Sequence, residues 1–260
     1  MGCGLKESHQ MWKAIYDSVR GTSHIEGNQP CQDACRVKQL SISDETFLIS
    51  VCADGAGSAE CSDLGATIAC DLFVNIVERA VTCCDFQRGL TKSGAVQWCE
   101  AIRESLLARA TSLNVPLREL ACTLLGAVIG ESFAVFLQIG DGAMVIANEG
   151  NYEPVFWPQS GEYANTTNFL TDPQYEESLE FCVRETRVSE FAAFTDGIER
   201  LILRFADKTV HTPFLVPLFS SLADTHDVES YFELLHQFLK SERINERTSD
   251  DKTLILAKRV

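Results

Sequence analysis

Positive charge is scarce in this chain. Its 260 residues include 22 Lys and Arg against 37 Asp and Glu, which gives a formal net charge of −15. Proteins that bind nucleic acid neutralise phosphates with clustered Lys and Arg side chains, and the sequence contains no such cluster. We therefore expect no nucleic acid among the partners, whereas the excess of acids is compatible with a metal-dependent site.

Long apolar runs, a secretory signal and paired cysteine spacings are also missing. No apolar stretch approaches the length that a membrane-spanning helix requires, and no secretory hydrophobic segment precedes the chain. The 11 cysteines fall largely inside apolar runs, and neither Cys31 with Cys35 nor Cys83 with Cys84 has the spacing of a zinc site. These features predict reduced core cysteines in a cytoplasmic protein without a membrane partner.

Linkers and internal repeats are absent from the sequence as well. The hydrophobic content of 45% and the charged content of 23% are ordinary for a globular protein. A chain of this length can bury a substantial core as one large domain or two small ones. Because no linker divides it, we expect a single domain over residues 1–260.

What the sequence does contain is a recurring pattern in which an apolar run meets an aspartate. Residues 47–57, FLISVCADGAG, suit a strand buried on both faces that stops at Asp54 on a glycine-relaxed turn. The pattern recurs at Asp141, at Asp196 and, in mirror image, at Asp250. Four predicted strand ends therefore each present an acid.

A single Asp-Gly pair is most often only a tight turn, because this dipeptide is among the commonest in turns. Four acids at apolar strand ends are harder to explain in that way. A fold that places those strands side by side would crowd like charges, which is costly unless a cation neutralises them. Carboxylates without thiolate or imidazole suit Mg²⁺ or Mn²⁺, so the pattern predicts a divalent metal site.

The order of predicted elements favours two packed sheets. Residues 9–20 have an apolar spacing that leaves a helix and a first strand both open, and residues 34–40 form a predicted hairpin with FLISVCA. The other predicted elements are helices over 63–81 and 94–113, a strand pair over 122–130 and 133–148, strands on both sides of Arg187, a short helix over 198–205, an amphipathic helix over 228–241 and a last strand over 253–257. Few strands alternate singly with helices, so we predict an α+β fold of two antiparallel sheets with helix pairs outside.

Two segments carry more detailed predictions. Residues 159–173 lie in a polar, Pro-punctuated stretch without firm periodicity, and we interpret them as a loop or flap. The helix over 228–241 is predicted to face inward with four side chains, which are Tyr231, Leu234, Leu235 and Phe238.

With these residues in place, the chain resembles the metal-dependent PP2C family of protein Ser/Thr phosphatases, in particular its short bacterial members. The resemblance covers about residues 21–257, and the segments that carry it are GTSHIEGNQPCQDA, VCADGAGS, the Thr123 strand, IGDGA, FTDGIE and SDDKTLILA. One motif alone would be weak, but the ordered set is specific. The family fold is a four-layer α-β-β-α sandwich, which agrees with the predicted element order.

The resemblance implies a role for each acid. Asp54 resembles the carboxylate that bridges two Mn²⁺ or Mg²⁺ ions, with the Gly55 carbonyl on one of them. Asp33 resembles the acid that holds metal-bound water, and Asp141 resembles the acid of a third, weaker metal. The implied catalytic residues are Asp33, Asp54 and His24, the implied metal ligands are Asp33, Asp54, Gly55, Asp141, Asp196 and Asp250, and the implied supporting or substrate-binding residues are Gln32, Asn28, Asp251 and Asn165.

The chain departs from the family pattern in and next to its first motif, the segment GTSHIEGNQPCQDA at residues 21–34. Many members have an Arg that grips the substrate phosphate, whereas this chain has Asn28 near the corresponding place, with His24 and Arg20 as the nearest candidates. Many members also have Glu-Asp where this chain has Gln32-Asp33. His24 is therefore a candidate phosphate ligand or proton donor, and the alternative is a solvated or capping histidine.

The resemblance implies a bacterial, cytoplasmic signalling hydrolase that acts on phosphoserine and phosphothreonine in proteins. Two Mn²⁺ or Mg²⁺ ions would activate the attacking water, so that no phosphoenzyme is needed. The expected partners are a phosphoprotein substrate and a cognate Ser/Thr kinase. Because the Arg is missing, the alternative is a weak or inactive pseudophosphatase that binds a phosphoprotein or kinase. A third hypothesis is that the same site dephosphorylates a small phosphorylated metabolite or an anti-sigma-factor-type partner.

Overall fold

The computed structural model describes residues 11–42, 45–83, 90–160 and 167–260. Its strands are β1 (Trp12–Val19), β2 (Ala34–Ile42), β3 (Glu45–Ala53), β4 (Leu124–Ile129), β5 (Ala134–Ile139), β6 (Ala143–Asn148), β7 (Asn151–Pro154), β8 (Glu180–Arg184), β9 (Glu190–Phe194), β10 (Leu203–Arg204), β11 (Thr209–Val210) and β12 (Lys252–Arg259). Its α-helices are α1 (Thr22–Glu26), α2 (Ser62–Val81), α3 (Lys92–Leu113), α4 (Tyr175–Ser178), α5 (Glu199–Ile202), α6 (Thr212–Asp224), α7 (Val228–Leu239) and α8 (Glu242–Asn245). Two 3₁₀ turns are Leu117–Leu120 and Asp196–Ile198.

Ten of these strands form two antiparallel sheets. The first sheet has the order β1-β12-β9-β6-β7, and the second has the order β2-β3-β4-β5-β8. Strands β10 and β11 form a separate small ribbon. The predicted hairpin of β2 and β3 is confirmed, with Ala34 opposite Ala53 at one end and Ile42 opposite Glu45 at the other.

Three apolar clusters hold the layers together. The cluster between the two sheets joins Leu48 and Phe136 of the second sheet to Phe191 and Ile255 of the first. A second cluster packs α2 and α3 on the outer face of the second sheet, and a third packs α5, α6 and α7 on the outer face of the first. The four-layer α+β sandwich is therefore confirmed. Residues 47–53 of β3 are all buried, as expected for a strand that is covered on both faces.

The structure settles one secondary-structure assignment that the sequence left open and divides one predicted strand into two. Residues 12–19, for which helix and strand were both open, form β1, which pairs with β12 along its whole length. The single strand predicted over 133–148 is two strands in different sheets. The chain changes sheet at Gly140, whose φ of +116° is accessible mainly to glycine.

The long helices agree with prediction, and the later ones require corrections. Helices α2 and α3 begin within two residues of their predicted starts. The short helix predicted over 198–205 already ends at Ile202, because the next two residues pair with β11. Helix α6 was not predicted, since Pro213 and Pro217 interrupt its apolar pattern.

Helix α7 faces the core with three of the four predicted side chains, since Leu235 is buried and Tyr231 and Phe238 pack partly buried against the cluster on the outer face of the first sheet. Leu234 is 53% exposed, so its predicted inward orientation is wrong. The helix buries Leu235 and Leu239, which lie four residues apart and therefore on one face. None of the described helices is long and apolar enough to cross a membrane.

Candidate metal centre

The register of β2 and β3 brings two of the predicted acids to the same end of the second sheet. Because Ala34 pairs with Ala53, Asp33 immediately before β2 lies beside Asp54 immediately after β3. Thr123, which immediately precedes β4, fixes the backbone of Asp54, since its Oγ1 accepts the Asp54 N–H at 2.8 Å and its own N–H donates to the Asp54 carbonyl at 2.8 Å. The backbone N–H and carbonyl of Asp54 are therefore both hydrogen-bonded, which fixes the position from which its side chain projects.

The other three acids lie at strand ends of the first sheet. Phe194, the last residue of β9, pairs with Ala143 of β6 on one side and Leu254 of β12 on the other. Asp141 precedes β6, Asp196 follows β9 and Asp250 precedes β12, so all three emerge at this end. The predicted convergence of acids that are distant in sequence is thus observed in the structure.

Three of these carboxylates form a group that fits a divalent cation. Asp54, Asp141 and Asp196 each offer an oxygen atom, and these atoms all lie within 4.8 Å of one another. Asp141 Oδ2 accepts a hydrogen bond from Thr167, whereas its buried Oδ1 has no hydrogen-bond partner among the described residues. Since buried oxygen atoms normally have a partner, this orphaned atom and the all-oxygen donor set fit a hard metal ion.

The electrostatics of the group show the same need for a cation. Burial, and then the charges of Asp33 and Asp196, raise the pKa of Asp54 well above its ordinary value. Burial, and then the charges of Asp141 and Asp250, raise the pKa of Asp196 to about 8. Without a neutralising ion, desolvation and like charges both disfavour ionisation of these carboxyls.

Asp250 and Glu199 lie near the group without belonging to its tightest part. The charge of Asp250 raises the pKa of both Asp141 and Asp196, but Asp250 is not within the 4.8 Å set. Burial and the charge of Asp141 raise the pKa of Glu199 to about 7. Glu199 was not predicted as a site residue, although its position three residues after Asp196 could have indicated it.

Asp33 joins the two sheets. It comes from the second sheet, but its Oδ2 accepts hydrogen bonds from Thr195 Oγ1 at 2.7 Å and Thr253 Oγ1 at 2.8 Å, which both belong to the first. Burial raises the pKa of Asp33 to about 7 even though both threonine bonds act in the opposite direction. Neither threonine was predicted, because a threonine in a strand ordinarily indicates only β propensity.

Asp251 holds the first motif against the last strand. Its carboxylate is buried and accepts hydrogen bonds from the Gly21 N–H at 2.6 Å, the Gln32 N–H at 2.5 Å and His24 Nδ1 at 2.9 Å. Because an ionised carboxylate can only accept, Nδ1 is the protonated nitrogen of His24. The second nitrogen, Nε2, is left for another partner.

Glycines are required where the motifs approach one another. A Cβ atom at Gly55 would lie 2.8 Å from the Gln32 carbonyl oxygen, which accepts the Gly55 N–H at 3.1 Å. A Cβ atom at Gly197 would lie 1.8 Å from the Asp251 carbonyl oxygen. Only glycine therefore permits the contact between the turn after Asp196 and the start of β12.

The remaining predicted residues either make no hydrogen bond or ion pair with the carboxylate group among the described residues or lie outside the described ranges. Asn28 is exposed in a left-handed turn with φ of 53°. Arg20 donates to the carbonyl of Gln29 at 3.1 Å. Asn165 and most of the predicted flap, residues 161–166, lie outside the described residues, while the described parts of 159–173 contain turns without helix or strand.

Comparison with known proteins gives the family. Residues 20–240 match the family model described as protein phosphatase 2C. The chain belongs to the protein phosphatase 2C family. It is 39% identical over 249 residues to serine/threonine-protein phosphatase 3 of Escherichia coli (strain K12), a match that covers 95% of this chain and 98% of that protein.

Solved structures of the family share the fold at much lower sequence identity. Serine/threonine phosphatase Stp1 from Staphylococcus aureus has a TM-score of 0.63 at 16% identity, with 99% of each chain covered. The catalytic domain of the serine/threonine protein phosphatase PstP, solved in complex with two manganese ions, has a TM-score of 0.62 at 13% identity, with 96% of this chain and 99% of that chain covered.

Proposed function

We propose that this protein phosphatase 2C member hydrolyses phosphoserine and phosphothreonine esters in proteins with Mn²⁺ or Mg²⁺ as cofactor. The observation that carries the proposal is the group of Asp54, Asp141 and Asp196, whose oxygens converge within 4.8 Å and include one buried oxygen without a described partner. The 39% identity to a Ser/Thr phosphatase supports the substrate class, and relatives solved with manganese or with magnesium support the choice of ions.

Two ions are the proposed number, with a third of lower affinity. Asp54 and the Gly55 carbonyl, together with Asp196 and Asp250, are the proposed ligands of the first two, and Asp141 is the proposed ligand of the third. When bound, such ions lower the pKa of water and offset the negative charge that grows on the phosphoryl oxygens.

The chain's own residues then have defined tasks. The bonds from Thr195 and Thr253 to Oδ2 fix the orientation of the Asp33 carboxyl, and the proposed task of Asp33 is to hold and orient the attacking water. The Thr123 bonds hold the backbone of Asp54, so its carboxylate changes position little during turnover.

His24 is the proposed donor to the phosphate or to the leaving alkoxide. Asp251 fixes its ring through Nδ1, in the way that a carboxylate orients a catalytic imidazole, and leaves Nε2 for the substrate. Of the three candidates near the place of the missing Arg, His24 bonds to Asp251, whereas Arg20 donates to the carbonyl of Gln29 and Asn28 is exposed.

Comparison of two leaving groups tests this role. Serine alkoxide needs a proton to leave, whereas nitrophenolate does not. We expect His24→Ala to lower kcat on a phosphoserine peptide by roughly 10²-fold and kcat on p-nitrophenyl phosphate by much less, as for loss of a general acid. The exposed His226 provides the control variant His226→Ala. Equal losses on both substrates would instead indicate phosphate binding or a structural role.

The activity itself is tested by phosphate release from matched phosphoserine and phosphothreonine peptides in Mn²⁺, Mg²⁺ or EDTA. We expect turnover of both peptides that requires the added ion. Absence of turnover by metal-saturated protein would favour the pseudophosphatase, and a strong preference for sugar phosphates would favour the metabolite hypothesis. A Ser/Thr kinase that generates the phosphoprotein in the cytoplasm is the partner that this activity requires.

A further inference from the structure

A cavity of about 480 Å³ lies in the helical layer outside the first sheet. We call it the arginine cavity, after Arg200 at α5 and Arg243 and Arg247 at and just after α8, which line it together with His211. Its volume is within the range of small-molecule and peptide side-chain sites. Neither the metal ligands proposed above nor the residues of the first motif contribute to its wall.

The charge of this cavity is opposite to that of the whole protein. The chain carries a net charge of −15, yet no Asp or Glu is among the residues that line the cavity. Arg243 and Arg247 make no side-chain hydrogen bond or ion pair with any residue in the described ranges. Arg200 has only a 3.9 Å approach to Glu199 and a position over the Phe205 ring. These guanidinium groups are therefore available to an anion.

The rest of the wall is apolar. Phe214 of α6 and Phe238 of α7 line the cavity with ring centroids 5.8 Å apart. Guanidinium groups bind carboxylates and phosphates through paired hydrogen bonds, and the aromatic wall favours an aliphatic or aromatic side chain next to the anion. The cavity thus suits a ligand with acidic groups beside apolar ones.

The arginines are also close to the carboxylate group along the chain. Arg200 follows Asp196 by four residues, and Arg247 precedes Asp250 by three. Even fully extended, these connections span at most about 14 Å and about 11 Å between Cα atoms. A bound peptide in extended conformation advances about 3.3 Å per residue, so four to six residues span about 13–20 Å, which covers these Cα distances together with the length of the phosphoserine and arginine side chains.

We propose that the arginine cavity docks an acidic segment of the phosphoprotein substrate, about four to six residues from the phosphorylated side chain. The inference rests on the phosphatase activity proposed above and specifies its substrate class as phosphoproteins with Asp or Glu next to apolar residues at that distance. A chain of net charge −15 repels such substrates at long range, and the arginines offset this repulsion at the point of contact.

The test compares Arg243→Ala/Arg247→Ala with the control Arg79→Ala/Arg109→Ala, which removes two exposed arginines from α2 and α3 and gives the same net charge. Three substrates are assayed: a phosphoserine peptide with Asp and Glu four to six residues from the phosphoserine, the same peptide with Gln at those positions, and p-nitrophenyl phosphate. We expect the cavity variant to lose at least about tenfold in kcat/KM on the acidic peptide alone, mainly through KM. Equal losses on all three substrates, or the same loss in the control, would overturn the proposal.

Binding separates the failure of docking from the failure of the proposed activity. A fluorescent, unphosphorylated form of the acidic peptide is titrated with the Mn²⁺-loaded protein and followed by anisotropy. We expect weaker binding by the cavity variant than by the control, whether or not any ester is hydrolysed. If the double variant does not fold, Arg243→Gln and Arg247→Gln are measured singly. Unchanged peptide affinity in folded cavity variants would refute docking even if phosphatase activity is present.

Discussion

Replacement of Asp54 by Asn is expected to abolish metal-dependent turnover, with a loss of at least about 10³-fold in kcat on p-nitrophenyl phosphate. The variant keeps the shape of the side chain but removes the charge from the central carboxylate of the group. Asp196→Asn should have an effect of similar size, because its oxygen lies in the same 4.8 Å set. The assay is initial rate at saturating Mn²⁺, measured together with bound manganese.

The matched control is Asp224→Asn, which removes an exposed carboxylate at the end of α6. It should leave turnover within about twofold of the original protein, as surface substitutions usually do. A thermal melt in EDTA distinguishes lost chemistry from lost folding. Since burial and repulsion oppose ionisation of Asp54, the metal-free Asp54→Asn protein should melt no lower than the metal-free original. Substantial turnover by Asp54→Asn would contradict the proposed site.

Saturating Mn²⁺ is expected to raise the melting temperature by about 5–10 °C at pH 7.5. A ligand at 100 times its Kd stabilises the folded state by about 2.7 kcal/mol, and each kcal/mol is worth about 2–4 °C in a protein of this size. Asp54→Asn/Asp196→Asn should lose most of this increase. Equal melting temperatures in Mn²⁺ and in EDTA would show that no ion binds to the folded chain.

The metal-free protein should also become less stable as pH rises from about 4 to about 8. The pKa of Asp33 is raised to about 7 and that of Asp196 to about 8, so the folded state binds more protons than the unfolded state in this window. Stability must then fall with increasing pH, and the loss is complete above the folded-state pKa values. Metal binding requires ionised carboxylates, so the Mn²⁺-dependent increase should grow over the same window. Melting curves in EDTA and in Mn²⁺ at several pH values measure both trends.

The main parts of the site could be predicted because each depends on a local pattern. Asp54, Asp141 and Asp196 each follow an apolar run and precede a glycine, which marks a strand end whatever the tertiary structure. The family resemblance then gave the four-layer sandwich. Element boundaries were reliable where periodicity was long, as in α2 and α3, and failed in α6, where two prolines interrupt the pattern.

The parts that could not be predicted depend on contacts between distant segments. Nothing in the sequence near Thr195 or Thr253 indicates that both bond to Asp33. The triple role of Asp251 likewise exists only after the first motif has folded against β12. The arginines of the arginine cavity come from segments about 40 residues apart in the sequence. The sequence therefore shows no cluster of positive charge that would indicate the cavity.

The hydrogen bonds from Thr195 and Thr253 to Asp33 have a consequence for ion preference. They couple the separation of the two sheets to the positions of the proposed metal ligands, because Asp54 comes from the second sheet and Asp141 and Asp196 come from the first. Mg²⁺ requires near-octahedral ligands at about 2.0–2.1 Å, so a small change in sheet spacing alters how well it is accommodated. We therefore expect side chains between the sheets, such as the stacked Phe136 and Phe191, to influence which ion the proposed site prefers.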